Sequence, residues 1–230
     1  MGEKVFGFRS MAFTLSQNFR KRYGRMNKIY TIGYASYSLL EFIAVLNKYD
    51  INAVADVRTT PYSQFRPEFN KDVLARELRG CGIYYVPLGK ECGARPENKS
   101  CYVDGQVQFD ILAKTDLFHR GLQRLKNGTE RCIIGIMCAE QDPIQCHRYI
   151  LVARELSKCY PELEIINILQ NGKIETRQET DLRLLQIYNL DKEEFPGLGK
   201  SFIERLEEVY TKQGAKISYR INDKEHEDGH

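Results

Sequence analysis

Short apolar runs alternate with amphipathic segments along most of this chain. Five of the runs have strand length and little polar interruption, which is typical of strands buried on both faces of a sheet. They cover residues 29–32, 53–58, 82–88, 132–137 and 164–169. Segments with apolar residues at helical spacing follow these runs, at 39–46, 71–79, 116–126, from 143 onward and through 182–185. This order predicts an α/β domain with a mostly parallel five-stranded sheet and helices on both faces.

The periodic pattern also predicts three regions. Residues 1–25 are a basic extension with little periodicity, and Met26 is a candidate biological start because it directly precedes the first strand. Residues 26–190 hold the α/β domain. Residues 191–230 hold a short amphipathic helix, Phe202 to Val209, and a polar tail that we expect to be disordered at its end.

Composition narrows the class of protein further. The hydrophobic content of 42% is enough to build a core, and a net charge of only +3 does not by itself indicate a nucleic-acid-binding protein. The chain has no apolar run long enough to span a bilayer and no signal peptide, so we expect a cytoplasmic protein without membrane contact. Its seven cysteines should then be reduced, and they act as packing groups, metal ligands or reactive thiols.

One segment, residues 131–148, carries most of the chemistry. Its apolar run, 132–137, ends abruptly in polar residues. Asp142 is a good N-cap, Pro143 suits the first helical position, and Gln145 completes a capping box, so we predict a helix that begins at Pro143. A strand end and a helix start thus bring two thiols, a carboxylate, an imidazole and a guanidinium to the edge of the sheet where α/β proteins bind ligands.

Substrate binding at this edge is expected to depend on two arginines. Arg58 and Arg148 could bind a phosphate or carboxylate bidentately, aided by the helix N-terminus at Pro143. The alternative is that Arg58 pairs with Asp56 or Glu140 only to balance a buried charge. The substrate-binding candidates are Tyr34, Asp56, Arg58, Ser63 and Arg148.

Catalysis would depend on the thiols and the imidazole. Cys146 would become a thiolate beside His147, Arg148 and a helix N-terminus, but its helical stripe also fits a small core residue. Cys138 emerges from a strand end, which is a common place for a nucleophile. His147 could act as a general base oriented by Glu140 or Asp56, or be a surface histidine bonded to a carboxylate. The catalytic candidates are Cys138, Glu140, Cys146 and His147.

Known cysteine chemistries fit the spacing only in part. The segment lacks the Cys-x5-Arg of a phosphatase loop and the Cys-x-x-Cys of a redox pair. Zinc bound by Cys138, Cys146 and His147 is an alternative, although no Cys-x2-Cys pair supports it. The fourth ligand would have to be Cys92, Cys101 or Glu140. The sequence therefore assigns no metal and identifies no cofactor.

Four segments together resemble a known family. They are TIGY (31–34), ADVRTTPYS (55–63), YVPLGKECG (85–93) and MCAEQDPIQCHR (137–148). In this order and spacing they resemble the domain of unknown function 488 family over about residues 28–188. The resemblance implies a cytoplasmic, Rossmann-like three-layer domain and marks the same residues, but it supplies no reaction. Many members carry His-Ser where this chain has Tyr34 and Ala35, so this chain has no imidazole at that position.

Two functions remain open from the sequence. The first is an enzyme, a hydrolase or transferase, that binds an anionic, phosphate-bearing and nucleotide-like substrate at the carboxyl edge of the sheet. The second is a non-catalytic module that binds a nucleotide or nucleic acid through arginines, the basic extension and aromatic side chains. The sequence does not predict the oligomeric state.

Overall fold

The structure is a computed structural model that describes residues 27–192 and 199–221. The predicted basic extension at 1–25, the candidate start Met26 and the end of the tail at 222–230 lie outside the described residues.

A six-stranded sheet forms the centre of the fold. Its strands are β1 (Lys28–Gly33), β2 (Ala53–Asp56), β3 (Tyr84–Pro87), β6 (Ile134–Cys138), β7 (Glu164–Ile168) and β8 (Ile174–Thr176), in the order β3-β2-β6-β1-β7-β8. The first five strands of this order are parallel to one another, and β8 pairs antiparallel with β7. The mostly parallel sheet is confirmed, but the predicted count of five strands was wrong. Strand β8 is only three residues long and partly exposed, so it gives almost no hydrophobic signal.

Helices cover the sheet as the amphipathic pattern predicted. They are α1 (Leu39–Lys48), α2 (Lys71–Gly80), α3 (Gly89–Cys92), α4 (Phe109–Leu112), α5 (Asp116–Thr129), α6 (Arg154–Cys159), α7 (Arg177–Ile187) and α8 (Phe202–Ile217). Two hydrophobic clusters lie on the two faces of the sheet, since strand residues an odd number of positions apart, such as Ile29 and Ile32, belong to different clusters. The central strand β6 is buried along its whole length. It therefore holds its end, Cys138, in a fixed position.

The C-terminal helix α8 is longer than the predicted Phe202 to Val209. A capping box formed by Ser201 and Glu204 starts it, and it continues to Ile217. Its residues Tyr210 and Gln213 are buried, and the Gln213 side-chain amide donates to the carbonyl of Ile144, 2.9 Å away. This helix therefore packs against the segment that follows β6, and the domain boundary near residue 190 stays a prediction.

The long polar stretch at 89–108 is ordered. It contains α3, a 3₁₀ turn at Lys99–Cys101, and a hairpin of β4 (Tyr102–Val103) and β5 (Gln106–Val107). Its cysteines, Cys92 and Cys101, are buried in the core. Among the helices of the described residues, none has the length and apolar character needed to cross a membrane.

Candidate functional site

The carboxyl ends of three neighbouring strands define the site. Strand β6 lies between β2 and β1, and the register pairs Gly33 with Cys138 and Asp56 with Met137. Because all three strands are parallel, the loops that follow them emerge at one edge. The loop after β2 and the segment from Cys138 onward therefore meet there, as the sequence pattern predicted.

The segment after β6 does not form the single helix that we predicted from Pro143. It makes one 3₁₀ turn, Pro143–Gln145, and then Cys146 has an extended backbone with φ −136° and ψ 138°. A π-helix follows at Arg148–Ala153 and passes into α6. Asp142 does cap the first turn, since its carboxylate accepts from the Ile144 amide. A three-residue turn supplies no helix N-terminus that could bind an anion, so that part of the prediction was wrong.

Two thiols and an imidazole form a compact cluster at this edge. The ligand-type atoms of Cys138, Cys146 and His147 all lie within 4.8 Å of one another, and all three residues are buried. His147 Nδ1 is 3.7 Å from Cys138 Sγ, and His147 Nε2 is 3.0 Å from the carbonyl of Val57. Because a carbonyl only accepts, Nε2 carries the proton of this hydrogen bond. The backbone of Val57 therefore orients the ring, instead of the carboxylate of Glu140 or Asp56 that we expected.

Cys146 lies among polar and charged groups. The backbone amide of Arg148 donates to Cys146 Sγ at 3.4 Å, and the Cys146 thiol donates to Glu140 Oε2 at 2.9 Å. Burial raises the pKa of the Cys146 thiol, but the hydrogen bond from Cys138 and the charges of Arg148 and His147 outweigh it and lower the pKa. The hydrogen bond to Cys146 and burial raise the pKa of Cys138 well above its usual value. Cys146 is thus both a buried residue and a member of the cluster.

Arg148 holds the loop that carries Glu140. Its guanidinium is fully buried and donates to the carbonyls of Glu140 at 2.6 Å and Gln141 at 3.0 Å. The carbonyl of Glu140 passes so close to Gly33 that a Cβ there would lie 1.7 Å from the oxygen. The geometry thus uses Arg148 to fix the loop, whereas the sequence suggested that it binds an anion.

Arg58 is engaged by a buried carboxylate. It binds Asp56 through Nε at 2.9 Å and Nη2 at 2.6 Å, and Nη2 also donates to the carbonyl of Phe69. The Tyr85 hydroxyl donates to the same carboxylate, and the Tyr34 ring lies 5.0 Å below the guanidinium. This is the charge-balancing arrangement that we considered as the alternative.

Ser63 makes its hydrogen bonds within its own loop and the turn that follows it. Its hydroxyl accepts from the amide of Arg66, and its amide donates to the side chain of Asn70. None of its hydrogen bonds in the described structure reaches the cluster. In the same loop, Tyr62 and Phe65 are exposed, Phe65 to 93%.

A groove that none of the cluster residues lines was missed by the sequence reasoning. Its volume is about 690 Å³, and Thr59, two residues after Val57, forms part of its wall. Its basic residues are Lys90, Arg95, Lys114 and Arg120, and its acidic residues are Glu91, Glu97 and Asp116. The signal that could have found it was the long polar stretch at 89–108, which supplies one wall.

The motif residues can now be compared with known families. The family model described as "Domain of unknown function DUF488" matches residues 38–154, just over half of the chain. The chain belongs to the DUF488 family. The resemblance seen in the sequence is confirmed, and the matched range contains the whole Cys/His cluster with Glu140 and Arg148 but begins after Tyr34. Comparison with curated proteins and with solved structures gave no match.

Proposed function

We propose that this DUF488 protein is an enzyme, a hydrolase or transferase, that acts on an anionic, phosphate-bearing substrate. Cys138, Cys146, His147 and Glu140 are its reactive centre. The observation that carries the proposal is their convergence at the carboxyl edge of a parallel sheet. Clusters of titratable groups beside a cleft are typical of active sites.

The proposed acid/base residue is Glu140. Its side chain is exposed, while the cluster that it contacts is buried, so it is the member of the centre that solvent and substrate reach first. Its carboxylate lies 2.9 Å from Cys146 Sγ, and Arg148 fixes its backbone. A carboxylate held in this way can accept and return a proton during transfer or hydrolysis.

The proposed substrate site is the groove. Lys90, Lys114 and Arg120 make no ion pair within the described residues, so their charges are available to an anion. Arg58 is the proposed anion contact at the strand edge, while Asp56, Tyr34 and Arg148 act as positioning residues. Ser63 would take part only through movement of its loop. The groove is large enough for a nucleotide-like anion, and Thr59 connects it to the loop that follows β2.

A Rossmann-like arrangement in the broad sense is part of this proposal. Helices on both faces of a mostly parallel sheet support it, although the order of the sheet strands is not that of the dinucleotide-binding fold. All seven cysteines are unpaired, which supports the proposed cytoplasmic location because thiols stay reduced there.

Replacing Glu140 by Gln tests the proposed activity. The full chain is assayed against a panel of nucleotides and phosphate esters, with Glu130→Gln as the matched exposed control. We expect Glu140→Gln to lower kcat by roughly 10²–10⁴ while the melting temperature is unchanged, which is the usual contribution of a general acid or base. A wild-type protein that turns over no member of the panel, or a Glu140→Gln variant with full activity, would refute the proposal.

Exposed aromatic side chains favour one second function, a non-catalytic nucleic-acid module. Phe65 is almost fully exposed and Tyr62 is half exposed, and such rings can stack on unpaired bases. This function predicts oligonucleotide binding that weakens steeply with salt and that Phe65→Ala abolishes. Binding that is weak, insensitive to salt or unchanged in Phe65→Ala would exclude it.

A further inference from the structure

We infer that Cys138, Cys146 and His147 are ligands of one zinc ion, with the fourth position of the ion open on the side of Glu140. The inference deepens the proposed function because it names the reactive group that the cluster supplies. Only the catalytic role of the ion rests on the proposed function, because metal binding itself is measured without turnover.

The donor set and its spacing suit zinc. Two thiolates and one imidazole are ligands that Zn²⁺ binds tetrahedrally, at about 2.3 Å for sulfur and about 2.0–2.1 Å for nitrogen. These bond lengths place tetrahedral ligand atoms roughly 3.5–3.8 Å apart. The distance from His147 Nδ1 to Cys138 Sγ is already 3.7 Å, and the largest separation within the trio is no more than 4.8 Å. Small side-chain rotations therefore close the trio on an ion.

The hydrogen bonds around the trio are those of metal ligands. His147 donates its Nε2 proton to the carbonyl of Val57, which leaves the Nδ1 lone pair directed at the two sulfurs. A ligand histidine almost always donates its other ring N–H to a carbonyl, carboxylate or water in this way. The backbone amide of Arg148 donates to Cys146 Sγ, and the thiol proton that Cys146 donates to Glu140 is lost when the sulfur binds the ion.

The fourth position follows from the residues that do not join the trio. Among the described residues, Cys92 and Cys101 pack in the core and do not belong to the set of ligand atoms that lie within 4.8 Å of one another. Glu140 contacts Cys146 but is not part of the group either. Three protein ligands and an open position are typical of catalytic zinc, whereas structural zinc takes four ligands. A Cys₂His zinc with a nearby glutamate that is not a ligand is also the arrangement of the zinc deaminases.

This inference changes the roles of the thiols. Neither Cys138 nor Cys146 is then a nucleophile, because both sulfurs are bound to the ion. In hydrolysis, water supplies the oxygen that bonds to the substrate and its proton passes to the Glu140 carboxylate, which returns the proton to the leaving group as the bond to that group breaks. No oxidant or reductant is needed.

Metal analysis of the full chain tests the inference. The protein is purified under reducing conditions from zinc-supplemented cells, and its zinc is measured by elemental analysis. The metal-free protein is then titrated with Co²⁺ and with Zn²⁺. We expect one zinc per chain, thiolate-to-cobalt charge-transfer absorption, and two thiols that zinc protects from a thiol reagent. A chain that holds no zinc and gives no cobalt absorption overturns the inference.

Variants place the ion in the sequence. Cys146→Ser and His147→Gln should each reduce bound zinc by at least tenfold, whereas Cys81→Ser and Cys159→Ser, at exposed cysteines, should not. Loss of zinc in the exposed-cysteine variants instead overturns the inference. If a cluster variant does not fold, the number of thiols that zinc protects in the wild type is the test: two protected thiols support the inference, and none overturns it. Zinc without turnover refutes only the proposed function, and turnover by a zinc-free chain refutes only the zinc site.

Discussion

Replacing Gly33 by Ala should disrupt the site, because Gly33 lies on strand β1 directly beside Cys138 on β6. An added Cβ would lie 1.7 Å from the carbonyl oxygen of Glu140 and 2.7 Å from its carbonyl carbon. The oxygen distance is more than about 1 Å shorter than any van der Waals contact. Both partners are backbone atoms, so no side-chain rotation relieves the overlap. The loop that begins at Cys138 has to move away from β1.

The cost of this movement can be worked from three hydrogen bonds. Two join the backbones, from the Tyr34 amide to the Cys138 carbonyl and from the Ala35 amide to the Ala139 carbonyl. The third is the charged bond from the Arg148 guanidinium to the carbonyl of Glu140. At about 0.5–1.5 kcal/mol for each neutral bond and about 1.5–3 kcal/mol for the charged one, the loss is about 2.5–6 kcal/mol.

Thermal and urea unfolding measure this loss. For a chain of this size, we expect the melting temperature of Gly33→Ala to fall by roughly 5–20 °C. The control is Gly80→Ala at the end of α2, where an added Cβ meets nothing within 4 Å. That variant should be neutral or slightly stabilised, because alanine favours a helix by up to about 1 kcal/mol. If Gly33→Ala unfolds within about 1 kcal/mol of the control, the close approach does not hold the site together.

Two further predictions concern charged pairs. Asp56→Asn leaves the Arg58 guanidinium buried without its carboxylate and should lower the free energy of unfolding by about 3–5 kcal/mol. The control Glu164→Gln, at an exposed pair, should lower it by less than about 1 kcal/mol. Equal losses for the two variants in urea unfolding would contradict this prediction. Burial raises the pKa of Asp142, but its hydrogen bonds and the charge of Arg183 outweigh burial, and the pKa is lowered. The Asp142 carboxylate therefore stabilises the fold at pH values above its unfolded pKa of about 4. This stabilisation is lost as the pH falls further. The stability difference between wild type and Asp142→Asn should therefore shrink below about pH 4, and a difference that grows there would refute the assignment.

Strands and helices with a strong hydrophobic period were predictable, and so was their meeting at one edge. The runs at 132–137 and 164–169 became β6 and β7 because buried strands need continuous apolar sequence. Strand β8 was missed because a short edge strand buries little. The edge itself followed from chain order alone, since parallel strands send their following loops to the same side.

The details of the site were not predictable from sequence, for a physical reason. Local capping signals at Asp142 and Pro143 predicted a helix, but only one 3₁₀ turn forms there, because tertiary contacts hold the backbone of Cys146 extended. The partners of His147 and Arg148 are backbone carbonyls, which every residue has and which therefore leave no pattern in the sequence. Only the fold could reveal these contacts.

The π-helix at Arg148–Ala153 determines the direction in which Cys146 and His147 face relative to helix α6. A π-turn holds one residue more than an α-turn, so this segment carries a residue that a regular helix would omit. Deleting that residue would turn everything before it by about 100° relative to α6. With α6 packed as it is, Cys146 and His147 would then face away from Cys138. The wide turn thus allows one continuous stretch of chain to fill the core with its later residues while its first residues complete the site.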